Sequence, residues 1–201
     1  NRRIVEGDAY VRAGKWKTWG PELLRGYEMS GKTVGIIGFG RIGRAFARRA
    51  HGFNMRVLFY SPSAQETDIP ELGATKAELE TVLRESDFMS LHCPLNERSR
   101  KIINADSLEL MKPSAILINT ARGGVVDSKA LYHALSTGAL AGAGLDVTDP
   151  EPILMDDPLL TLPNVVITPH VGSASYETRE KMAIMAAENI VCGLTSKPLP
   201  Y

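Results

Sequence analysis

Cysteine is nearly absent: the 201 residues hold only Cys93 and Cys192. They lie far apart and neither has metal-ligand spacing, which excludes a disulfide framework and a zinc module and fits a reducing, cytoplasmic setting. An excess of one charge is missing too. Lys plus Arg number 23 against 23 Asp plus Glu, so the chain carries no electrostatic footprint for nucleic acid or an anionic membrane. No apolar run approaches the roughly 20 residues of a membrane span. The opening Asn1-Arg2-Arg3-Ile4-Val5-Glu6 does not read as a signal peptide and lacks an initiating Met, from which an excised or processed piece of a longer protein is expected. Internal repeats and low-complexity tracts are absent as well. What remains has the composition of an ordinary globular domain, with a small molecule as its expected partner.

The most informative positive feature is the turn Gly38-Phe39-Gly40-Arg41-Ile42-Gly43, directly behind the apolar run Val34-Gly35-Ile36-Ile37. The residues before it read as a buried parallel strand. Those after it, Arg44 to Ala50, read as an amphipathic helix that stops at Gly52. In a strand–turn–helix unit of this kind Gly38 permits the turn, Gly40 lets the backbone approach a pyrophosphate, and Gly43 lets helix and strand pack closely. The phosphates then meet free N–H groups at the positive end of the helix.

From Lys32 onward strand-like and helix-like stretches alternate, which predicts an α/β fold: a Rossmann-type doubly wound parallel sheet with helices on both faces. Strands are expected at Thr33–Ile37, Arg56–Tyr60, Phe88–Leu91, Ala115–Asn119, Ala141–Leu145 and Val165–Thr168. Helices are expected at Arg41–His51, Lys76–Glu85, Ala105–Met111, Ser128–Ser136 and Tyr176–Leu194, with Asp127 as an N-cap and Gly138 at a C-terminus. The last helix carries Met182, Met185, Ala186, Asn189, Ile190 and Gly193 at helical spacing, a stripe for core or interface packing. Residues 1–31 stand outside the alternation. A helix over Arg2–Gly14 precedes both tryptophans, Trp16 and Trp19, and this arm either folds back on its own domain or meets a second subunit.

Three charged residues sit just past the ends of later strands, the edge where open α/β sheets bind ligands: Arg122, Glu151 and His170. Arg122 leaves its strand before Gly123-Gly124, where a planar guanidinium suits a substrate carboxylate. Reduction of a carbonyl needs a proton donor for the developing alkoxide, and a histidine held by a carboxylate meets that need near neutral pH. Taken singly each has a structural explanation, as a helix cap, a solvated acid or a satisfied histidine. His51, His92 and His133 have no comparable company.

Taken together, Val34–Gly43, Asn119-Thr120-Ala121-Arg122-Gly123-Gly124-Val125-Val126, Leu145-Asp146-Val147 with Glu151-Pro152, and Thr168-Pro169-His170-Val171-Gly172-Ser173 resemble the cofactor-binding domain of the D-isomer-specific 2-hydroxyacid dehydrogenases, nearest the glyoxylate/hydroxypyruvate reductase branch. The resemblance covers essentially the whole chain. It implies reduction of a 2-oxoacid to a D-2-hydroxyacid by hydride from NAD(P)H, with Arg122 binding and polarising the substrate, His170 as general acid/base, and Glu151 orienting and charging the imidazole. It also implies Arg41 and Ile42 at the pyrophosphate, with Gly38, Gly40 and Gly43. Cys93, Pro94 and Ser99 would lie along the dinucleotide, Thr120 near the ribose and Asp146 at the nicotinamide amide, with Ser61, Ala121, Arg122, His170, Gly172 and Ser173 also contacting the cofactor. Residues 1–31 would be an interdomain helix and homodimerisation arm and residues 32–201 the dinucleotide-binding domain; the family's separate substrate lobe would be absent.

One departure concerns the nucleotide. Where NAD-preferring members carry an Asp for the ribose diol, Tyr60-Ser61-Pro62-Ser63 offers Ser61, which removes repulsion against a 2′-phosphate although no Arg follows; the cofactor is NAD(P) with a lean to NADP. Phosphoglycerate and formate dehydrogenases and the non-enzymatic corepressors that share this domain are the alternatives. Formate oxidation releases no alkoxide proton, so the Glu151 and His170 pair argues against it.

Overall fold

A computed structural model describes residues 2–65 and 68–201. The chain divides into two compact units, Asn1–Thr168 and Pro169–Tyr201. The first contains α1 (Ile4–Arg12), β1 (Thr33–Ile37), α2 (Arg41–Gly52), β2 (Arg56–Tyr60), β3 (Asp68–Ile69), β4 (Ala74–Lys76), α3 (Leu79–Glu85), β5 (Phe88–Leu91), α4 (Ala105–Leu110), β6 (Ile116–Asn119), α5 (Ser128–Ser136), β7 (Gly142–Leu145) and β8 (Val165–Ile167). The second holds α6 (Tyr176–Leu194).

The strands form one sheet in the order β3-β4-β2-β1-β5-β6-β7-β8. Every pair is parallel except β3 with β4. The chain winds outward from β1 through β2 to β4, then returns to β5 and winds outward again to β8. The order therefore reverses between β1 and β5, which opens a crevice at their C-terminal ends.

Alternation along the strands divides the core between the two faces of the sheet. Val34 and Ile36 of β1, with Val57 and Phe59 of β2, pack with Ala47 and Ala50 of α2. On the opposite face Ile37, Leu58, Met89 and Leu117 pack with Val82 and Leu83 of α3, Leu108 of α4, and Leu131 and Leu135 of α5. At the opposite edge of the sheet from the crevice, Asp87 ties β1 to β5. Its Oδ2 accepts from the Thr33 N–H at 2.9 Å, and its Oδ1 pairs with Lys112 Nζ at 2.9 Å. Burial works to raise this carboxyl, but the Thr33 and Lys112 hydrogen bonds and the charges of Lys112 and Lys32 outweigh it and hold Asp87 below the usual carboxylate range. Asp127 caps α5 as expected, accepting from the Lys129 and Ala130 N–H groups, and Gly138 follows that helix with φ of 75°.

Several expectations are corrected. The short edge strands β3 and β4 are additional, and Lys76 closes β4 instead of opening a helix, because Ala74–Lys76 pairs with Val57, Leu58 and Phe59; α3 starts only at Leu79. Three residues are too few for a periodic signal, so the pairing partner decides their state. Of the core and interface alternatives for the stripe of the last helix the core one falls, and the arm is likewise exposed. No residue of α1 is buried, Trp16 and Trp19 are 59% and 78% exposed, and α6 has no buried residue.

Candidate functional site

The glycine turn occupies the crevice at the end of β1. Gly38 has φ of 91°, and a Cβ there would lie 2.5 Å from the Cys93 nitrogen and 2.6 Å from the His92 carbonyl carbon. Both the backbone conformation and the exit of β5 thus exclude a side chain. At Gly43 a Cβ would meet the Gly38 carbonyl oxygen at 2.3 Å, so its absence lets α2 start against the turn. Gly40, the N-cap of α2, differs: a Cβ there would meet nothing within 4 Å. That helix begins with no side-chain cap and no acidic residue in its first turn. Gly40, Arg41 and Ile42 line an open cavity with His92. A helix N-terminus left uncapped toward open space, with a glycine allowing close approach, fits the pyrophosphate of a dinucleotide.

His92 and Cys93 close the turn from the β5 side. The His92 N–H donates to the Ile37 carbonyl at 2.7 Å, its Nε2 shares a hydrogen bond of 2.9 Å with Ser90 Oγ, and its ring lies 5.1 Å from that of Phe46. Burial pushes this imidazole down to about 4. Burial likewise raises the thiol of Cys93, which suits a packing side chain and not a nucleophile.

Beyond the turn a cavity of about 330 Å³ brings together Gly38, Ser61, Cys93, Pro94 and Ser99. Its far wall is the loop after β2. Ser61 is 5% exposed, its Oγ lies 3.4 Å from Ser63 Oγ, and Lys76 Nζ donates to the Ala64 carbonyl at 2.6 Å behind this loop. The near wall is the loop after β5, where Ser99 Oγ donates to the Pro94 carbonyl and accepts from the Asn96 N–H.

The expected catalytic residues distribute as follows. Arg122 leaves β6 exposed, on a loop fixed by Asn119, whose Nδ2 donates to the Arg122 carbonyl at 2.9 Å and whose Oδ1 accepts from the Ala121 N–H at 3.0 Å. Thr120 is exposed beside it. Glu151 is exposed on the loop after β7, and the two loops touch, since a Cβ on Gly123 would lie 1.9 Å from the Thr148 carbonyl oxygen. Asp146 is 7% exposed and accepts from Thr168 Oγ1 at 2.6 Å. The structure brings the Arg122 and Glu151 loops together at neighbouring strand ends. His170, Gly172 and Ser173 belong to the second unit, where Arg179 donates to the carbonyls of Ser173 at 3.3 Å and His170 at 3.5 Å. His170 itself has φ of 53°, in the left-handed region. No cluster suited to a metal ion exists among the described residues.

His92 was named only as lacking company, and Asn96, Arg98 and Arg179 went unforeseen. The first three follow β5 within seven residues of the crevice, and their position after a strand end was the available signal. Arg179 had none, because its contact crosses from a helix back to the preceding loop.

The family model for the NAD-binding domain of D-isomer specific 2-hydroxyacid dehydrogenases matches residues 1–172. The chain belongs to this family. A glyoxylate reductase from Korarchaeum cryptofilum is 56% identical over 191 residues, covering 94% of this chain and 58% of that protein. The solved structure of the TT0316 protein from Thermus thermophilus superposes with a TM-score of 0.93 at 49% identity, covering 99% of this chain and 62% of that one. An acyclic imino acid reductase in complex with NADPH and D-Arg follows with a TM-score of 0.88 at 36% identity, over 99% and 62% of the two chains. The chain thus spans about 58% of the length of the curated relatives it matches. No helix among the described residues is long and apolar enough to cross a membrane.

Proposed function

We propose that this chain is the NAD(P)-binding part of an enzyme that reduces a 2-oxoacid, glyoxylate or hydroxypyruvate, to the D-2-hydroxyacid. The observation that carries the reading is the seat at Gly40, where an uncapped helix start faces open space behind a turn that tolerates only glycine at Gly38 and Gly43. Kinship with a glyoxylate reductase at 56% identity supports the choice of substrate. The cofactor leans to NADP, because Ser61 holds no charge against a 2′-phosphate; a relative of this fold carries NADPH. Residues 1–31 serve as an interdomain helix and dimerisation arm, for which the exposed Trp16 and Trp19 are the support.

The nicotinamide, when bound, supplies the hydride. Arg122 grips the substrate carboxylate through the two prongs of its guanidinium and polarises the carbonyl. His170 gives its proton to the oxygen as charge develops there, and Glu151 orients the ring. Asp146, anchored by Thr168, receives the nicotinamide amide.

The test is steady-state turnover of NADH and NADPH with a panel of 2-oxoacids, by the protein carrying this domain, alongside calorimetric binding of both dinucleotides. Replacement His170→Ala should reduce turnover roughly 10²–10⁴-fold with little change in dinucleotide affinity, and Arg122→Lys should remain badly impaired because the fork is lost. Unaltered turnover in His170→Ala, or no dinucleotide binding by the parent protein, would refute the proposal.

A further inference from the structure

We infer that Arg98, on the loop after β5, supplies the cation that recognises a 2′-phosphate on the adenosine ribose. This inference rests on the dinucleotide reading of the site and assigns the discriminating residue within it. The loop after β2 offers hydroxyl groups at Ser61 and Ser63 but no basic residue between Ser61 and Gln65. A phosphate monoester carries about −1.5 to −2 charges near neutral pH, and hydroxyls alone do not neutralise it.

The cations near this loop differ in their availability. Lys76 Nζ is bonded to the Ala64 carbonyl, and Lys76 does not line the cavity. Arg44 lies over the Phe39 ring at 5.2 Å and does not line it either. Arg98 does line it, across from Ser61 and Ser63, and no carboxylate stands among the described residues of that wall. Its guanidinium has no salt bridge among the described residues.

Its backbone, by contrast, is fixed. The N–H groups of Arg98 and Ser99 donate to Asn96 Oδ1 at 3.0 and 3.1 Å, and Ser99 Oγ anchors the turn to the Pro94 carbonyl. A planar guanidinium on a pinned turn, lining one cavity with two serines and with no carboxylate among the described lining residues, matches a dianionic phosphate. A missing arginine in one loop is thus replaced by an arginine from another, on the opposite side of β1.

The experiment measures calorimetric dissociation constants for 2′-phospho-ADP-ribose and ADP-ribose, in the parent protein and in Arg98→Ala and Arg98→Glu. Arg98 is exposed, so neither replacement disturbs the core. The parent should prefer the 2′-phosphorylated ligand. Arg98→Ala should weaken that ligand roughly tenfold while leaving ADP-ribose within twofold, and Arg98→Glu should reverse the preference. Added salt should erode the preference of the parent and not that of Arg98→Ala. An unchanged ratio in Arg98→Ala, or equal weakening of both ligands, would overturn the role of Arg98. Failure of the parent to bind either ligand would instead overturn the dinucleotide reading, and the inference with it.

Discussion

His92 connects the pH of the solution to the stability of the glycine turn. It stands at the exit of β5, packed near Phe46 and bonded to Ser90, with burial holding its imidazole at about 4 against an ordinary 6.5. The native state therefore keeps this ring neutral at pH values where the unfolded chain protonates it. Below about pH 6.5 the unfolded state binds more protons, so stability falls with pH, and the fall ends only near the folded value of about 4. With those two values, linkage gives a loss of about 2 kcal/mol by pH 5 and about 3 kcal/mol by pH 4, relative to neutral solution. Urea unfolding followed by circular dichroism, at intervals from pH 7 to pH 4.5, measures it. Other groups titrate too, and His92→Gln isolates the effect, since Gln can bond Ser90 but does not ionise. The stability difference between parent and His92→Gln should shift by about 2 kcal/mol against the parent between pH 7 and pH 5. A difference that stays constant across that range would refute the argument from burial.

Gly43→Ala places a methyl 2.3 Å from the Gly38 carbonyl oxygen, so α2 must back away from the turn. It should cost about 1–3 kcal/mol in urea unfolding and weaken dinucleotide binding by calorimetry; wild-type values for both would show that α2 tolerates the shift. Asp87→Asn removes the partner of Lys112 but keeps an oxygen for the Thr33 N–H, and should cost about 1 kcal/mol at pH 7. Because the carboxyl of Asp87 is lowered in the fold, its contribution is present above the unfolded carboxylate range and is lost as pH falls through the folded value, so the cost should vanish in acid. A cost that persists there would point to packing instead.

The sheet was legible because its central strands are buried on both faces and read as apolar runs. Val34–Ile37 and Phe88–Leu91 are examples, with helix caps such as Asp127 marking the ends between them. Edge elements were not legible. β3 has two residues and β4 three, and their state is imposed by pairing with β2 and with each other. The arm and α6 left alternatives open for another reason. Their apolar residues have helical spacing, yet spacing reports only that a helix has an apolar face, not what covers it; Trp19 and Tyr176 are 78% and 94% exposed.

The same limit applied to the site. Every contact of the glycine turn that depends on local geometry could be read from six consecutive residues, because φ at Gly38 and the start of α2 are local properties. Ser61 and Arg98 belong to loops that follow different strands, and neither loop predicts the other. They face one cavity because β2 and β5 flank β1 on opposite sides, so the loops leaving both strands overhang the same strand end. Reading the β2 loop alone finds a missing acid and no arginine, and leaves the nucleotide undecided. Sheet order supplies the missing term: a charge absent from one side of β1 is available from the other. On the proposed dinucleotide reading, nucleotide choice is a property of the pair of loops, and substituting Ser61 alone tests only half of it.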